Sequence, residues 1–79
     1  MSEFYKIIQG TMFEGHWVEP VFPLTKENVE LNIKHGLAFE RTENEAEAES
    51  SSPAWGSGIF EVLDNGEYTC LAENFDSSD

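Results

Sequence analysis

The chain has 79 residues, 16 of them Asp or Glu and only 4 of them Lys or Arg, for a formal charge of −12. That length makes one small domain spanning residues 1–79, and that charge repels phosphates, which excludes a conventional nucleic-acid binder. No apolar run approaches the ~20 residues of a transmembrane helix, and the start Met1-Ser2-Glu3-Phe4-Tyr5-Lys6 lacks the basic-then-apolar layout of a signal peptide. A single cysteine, Cys70, leaves no internal disulfide and fits a reducing compartment, so a cytoplasmic location is expected.

Ten aromatic side chains, six Phe, two Trp and two Tyr, argue that the chain folds despite its charge, because disordered chains are poor in aromatics. Each buries ~150–250 Å², enough for a few of them to dominate a small core. In chain order, Phe4 to Met12 is rich in β-branched and aromatic residues and reads as a strand. Glu14-Gly15 reverses it, and His16 to Val21 returns, with Trp17 and Val18 on opposite faces. Gly10 marks a bulge or a close backbone approach. Pro20 and Pro23 end the ladder, since neither has an N–H to donate.

Thr25 then caps a helix that runs to about His35, with Glu27 in its first turn and Gly36 as the left-handed residue after it. Leu24, Val29, Ile33 and Leu37 supply its buried side. Leu37 to Glu40 reads as a third strand. Residues 41–57 form an acidic, Ser-rich loop or linker within the domain. Gly58 to Leu63 and Glu67 to Ala72 flank Asp64-Asn65-Gly66, a hairpin whose Asn-Gly tolerates the positive φ of a primed turn. The expected fold is α+β: a small antiparallel sheet in the order β-β-α-β-β-β with one short helix, either packed on one face or curled into a partly open barrel.

Motifs for chemistry are missing. The glycines have no phosphate-cradling spacing, and Gly56-Ser57-Gly58 resembles a nucleophile elbow only in composition. His16, His35 and Cys70 are too scattered for a zinc site, and Ile59 to Leu63 stand where a calcium loop ahead of Gly66 needs oxygen ligands. The expectation is no enzyme, no cofactor and no metal. His35 is then a helix-terminus residue, His16 a strand residue and Cys70 a small core side chain.

The distinctive feature is Glu43, Glu45, Glu47 and Glu49, alternating with Asn44, Ala46 and Ala48. In an extended chain these four carboxylates fall about 6.7 Å apart on one side, a single-file anionic ladder. In a helix they make the like-charge pairs 43/47 and 45/49, so an isolated segment favours an extended or disordered state. The segment is either a solvated linker or a surface for a basic partner. Trp55, just beyond it, is either an exposed anchor for that partner or a lid that folds back on the core.

In size, in its excess of carboxylates of the Glu43–Glu49 kind, in its lack of a catalytic motif and in its β-rich domain, the chain resembles small acidic phage-encoded anti-defence proteins. That group includes anti-CRISPR proteins and DNA-mimic inhibitors of restriction systems. The resemblance implies a stoichiometric inhibitor, monomeric when free, that binds a basic nucleic-acid-binding effector rather than nucleic acid or membrane. Glu43, Glu45, Glu47, Glu49 and Trp55 are the candidate contact residues. The alternative is a small virion or assembly accessory protein, or a regulator of a basic partner.

Overall fold

In the computed structural model, which describes residues 2–76, the elements run β1 (Glu3–Ile8), β2 (Thr11–Phe13), β3 (His16–Val18), α1 (Lys26–Lys34), β4 (Ala38–Arg41), α2 (Glu43–Ser50), β5 (Ser57–Val62) and β6 (Tyr68–Asn74). The sheet is antiparallel in the order β4-β1-β5-β6, and β2 and β3 form a separate ribbon. It is an open α+β sheet with two edges and no barrel closure. None of the described helices is long and apolar enough to cross a membrane.

Alternation along β1 decides which layer goes where. Tyr5 and Ile7 are buried on one face, in register with Phe60 and Gly58 on β5 and with Glu40 and Ala38 on β4. α1 covers this face, and Leu24 and Val29 join Tyr5, Ile7, Ala38 and Phe60 in one core. Phe22 extends that cover over Phe60 and Tyr68, with ring centroids 5.8 and 6.1 Å away. α2 packs against the opposite face, in contact with all four strands, where Ala46 and Ile59 are buried. The sheet is therefore a middle layer between two helices.

The long first strand expected from Phe4 to Met12 is broken at Gln9-Gly10. Its first half becomes β1, between β4 and β5, and only Thr11 and Met12 at its end, continued by Phe13, pair with β3. Gly10 is a close approach, as expected, but to a side chain: a Cβ there would collide with the Trp17 indole. Glu14 and Gly15 both have positive φ, 50° and 82°, which makes the two-residue primed turn that joins β2 to β3. The return strand ends at Val18, before Pro20.

α1 forms where the cap predicts. Thr25 Oγ1 accepts from the Asn28 N–H at 3.2 Å, and Gly36, at φ 76°, lets the chain turn back so that the Leu37 N–H donates to the Asn32 carbonyl at 2.8 Å. Its buried side differs in one position. Ile33 is 42% exposed, while Asn32, a polar residue, is fully buried. Asn32 accepts from the Val21 N–H (2.8 Å) and donates to the Val21 carbonyl (3.2 Å), clasping the segment between β3 and α1. A buried backbone that belongs to no ladder needs such a partner.

The C-terminal hairpin is present, with a different turn. Leu63 N–H donates to Glu67 O (2.8 Å) and Gly66 N–H to Leu63 O (3.0 Å), so Asp64-Asn65-Gly66 is a three-residue loop with only Gly66 in the left-handed region, at φ 88°. Ile59 pairs with Ala72 and Phe60 with Cys70, so Leu71 is an unmatched bulge residue in β6. Cys70 is exposed on this strand and is not part of the core.

Candidate interaction surface

Residues 43–50 are helical, contrary to the extended ladder or linker expected for 41–57. Local bonds outweigh the like-charge penalty. Thr42 Oγ1 accepts from the Glu45 N–H (3.1 Å) and Glu45 Oε1 accepts from the Thr42 N–H (2.9 Å), a reciprocal capping box. The bond from the Thr42 backbone, first among its causes, holds the Glu45 carboxyl below the ordinary Glu value. At the other end of the helix, Arg41 Nε donates to Glu49 Oε1 at 2.8 Å. Glu43 and Glu45 in the first turn also face the positive end of the helix dipole.

The four glutamates are thus not in single file. With Ala46 turned to the sheet, helical spacing puts Glu43 and Glu47 on one flank and Glu45 and Glu49 on the other. Glu45 and Glu49 are occupied by the cap and by Arg41, and Glu43 and Glu47 make no bond to the described residues. Trp55 does not fold back on the core; it is 74% exposed. It lies at the far end of the sheet from the start of α2, beside Gly56, whose carbonyl accepts from the Gln9 N–H at 2.8 Å.

A more concentrated acidic site lies where β1 begins and β4 ends. There α1 stands away from the sheet and leaves a hollow of about 480 Å³, floored by Tyr5, Val29 and Val62 and rimmed by Glu3, Glu30 and Glu40. Glu3 and Glu40 share the Tyr5 face of the sheet because of the period of two along each strand and because Tyr5 is in register with Glu40. The Tyr5 hydroxyl donates to Glu3 Oε1 at 3.1 Å. Burial first, then the charge and hydrogen bond of Glu3 and the charges of Glu40 and Glu30, push the Tyr5 hydroxyl up to about 12. Lys26 stands on the rim as a counter-charge. The local field is negative and the phenol stays protonated, an arrangement suited to holding a cation.

No described carboxylate is fully buried, and Glu49 and Glu61 are half-buried. Among the described residues, no three His, Cys, Asp or Glu side chains are placed to hold a metal ion. Partial burial, with the hydrogen bond and charge of Glu73, pushes the Cys70 thiol up, away from a reactive thiolate. The surface offers charge and shape for binding.

Glu3 and Glu40 were not singled out by the sequence. The expected strand began at Phe4 and left Glu3 outside it, and the register that brings Glu40 beside Tyr5 depends on pairing across more than thirty residues. By contrast, Thr42-x-x-Glu45 is a helix-start signal visible in the sequence, and it locates α2. Comparison of the chain with protein-family models, with curated proteins and with solved structures finds no match in any of the three.

Proposed function

We propose that this protein is a stoichiometric inhibitor, of the anti-CRISPR or DNA-mimic type, that binds a basic nucleic-acid-binding effector in the cytoplasm of a host cell and excludes nucleic acid from it. The observation that carries this reading is the placing of charge. Every described carboxylate lies at the surface, and Glu3, Glu30 and Glu40 converge around one phenol instead of spreading apart. A charge of −12 also exceeds the magnitude of ~2–8 that solubility asks of a small domain. Such a surface steers a Lys/Arg-lined groove toward itself, raising the association rate and making it salt-dependent. The exposed single thiol of Cys70 suits a reducing compartment.

The test is retention of host-lysate proteins on the immobilised chain. The expected result is a basic, nucleic-acid-binding protein held at about 50 mM salt and released by about 500 mM salt or by single-stranded DNA. Retention that is indifferent to both salt and nucleic acid overturns the proposal.

A further inference from the structure

The end of the sheet opposite the acidic hollow carries a stripe of apolar side chains. Met12 and Trp17 are cross-strand partners on one face of the β2–β3 ribbon, 61% and 60% exposed. Beside them Gln9, Glu19, Pro20, Phe22 and Phe75 line a groove of about 300 Å³. Trp17 and Glu19 join the two parts, since the indole Nε1–H donates to Glu19 Oε2 at 3.1 Å. We propose that this stripe is the docking groove for an extended basic segment of a protein partner. An arginine of that segment stacks on Trp17 and pairs with Glu19, and the apolar side chain next to it fills the hollow of Pro20, Phe22 and Phe75. The inference rests on the binding reading above and adds where, and through which side chains, the partner docks.

Three features argue for a prepared site. The indole has a fixed seat, because Gly10 provides a surface that any Cβ would obstruct. The ribbon that carries it is anchored from behind: Phe13 packs on His35 at the end of α1, with ring centroids 4.7 Å apart. The groove wall is tied as well, with Gln9 Nε2 donating to Asp76 O (3.1 Å) and Gln9 Oε1 accepting from Asp76 N (2.8 Å).

Charge selects the occupant. An aromatic face beside a carboxylate matches a guanidinium, which stacks on rings and donates in a planar fork. Both helices also end on this side, α1 at His35 beside Phe13 and α2 shortly before the Gly56 that bonds Gln9. Their carbonyl-terminated ends add negative potential to that of Glu19, with Lys34 in the last turn of α1 as a counter-charge. A second copy, itself at −12, meets this potential with repulsion.

The probe is a capped peptide, Ser-Arg-Leu-Arg-Ser, titrated into the 15N-labelled full chain, with a Gln-for-Arg peptide as control. The expected result is that the Trp17 indole N–H and the Gly10 and Glu19 amides shift with the first peptide and stay put with the second. Trp17→Ala should weaken binding about fivefold or more, the size of one cation–aromatic contact. Gly10→Ala keeps every recognition group but displaces the indole, and should weaken binding similarly while the amide spectrum stays that of a folded chain. Shifts confined to Glu43–Glu49 or to the Glu3/Glu40 hollow overturn the groove and leave the inhibitor reading standing. Absence of shifts, or concentration-dependent self-association through Trp17, also overturns the groove. The inhibitor reading fails separately, if the lysate yields no salt-released nucleic-acid-binding protein.

Discussion

The two helices begin alike and are held differently. Each starts at a threonine whose hydroxyl accepts from the backbone N–H three residues on, and each follows a chain segment that ends a strand or loop. α1 is then held by its sides: Leu24 just before it and Val29 within it enter the core, and Asn32 clasps Val21. α2 buries a single small side chain, Ala46, and depends on its ends, the Thr42–Glu45 box and the Arg41–Glu49 pair. A helix packed through an apolar face is robust to its caps. A helix with one alanine against the sheet is not, and the difference is measurable.

The largest effect should come from the packed side of α1. Asn32→Ala leaves the Val21 N–H and carbonyl without their partner, at ~1–3 kcal/mol for each group that stays dry. The urea midpoint should fall accordingly, and an unchanged midpoint would mean that water replaces the clasp. Next is Ala46→Leu, which forces a larger side chain beneath α2 and should cost about 1–3 kcal/mol or lift the helix from the sheet. Far-UV circular dichroism separates these outcomes, because only lifting reduces helix content.

The smallest effects lie in the caps. Thr25→Ala and Thr42→Ala should each cost ~0.5–2 kcal/mol, but only Thr42→Ala should melt its helix, since α2 has little else. Equal loss of helical signal in the two variants would remove the distinction between them. Acid sharpens the same contrast. The Glu45 carboxyl is held low in the folded chain, so its contribution is present above the ordinary Glu range and disappears as pH falls through the lowered folded value. α2 amides should therefore lose hydrogen-exchange protection on acidification before α1 amides do. Glu45→Gln should remove that pH dependence.

The same contrast explains what the sequence disclosed. α1 was legible because cap, apolar spacing and Gly36 agree, and only the inward turn of Asn32 in place of Ile33 was hidden, since a buried Asn needs a partner, Val21, that no local pattern names. In α2 two local signals conflict, the charge alternation of 43–49 favouring an extended chain and the Thr42–Glu45 box favouring a helix, and the box prevails. The C-terminal hairpin was recognised from Asn65-Gly66, while its turn type depended on whether Leu63 pairs with Glu67, which composition does not decide. The acidic run Glu43–Glu49 is plain in the sequence as charge, but its carboxylates stand on two flanks of a helix and do not form a ladder. Glu3, Glu30 and Glu40 converge only through strand register and helix placement, both tertiary facts.

The bulge at Leu71 has a consequence for copies of this chain meeting one another. A flat outer strand offers an evenly spaced comb of donors and acceptors that a neighbour's strand can zip onto, and stacks of such sheets grow into fibrils. In β6 the comb slips by one residue at Leu71, midway along the strand, and Glu67 and Glu73 flank the slip. A strand arriving in register with Tyr68–Cys70 is out of register by Ala72. Polymerisation along this rim stalls after a few residues.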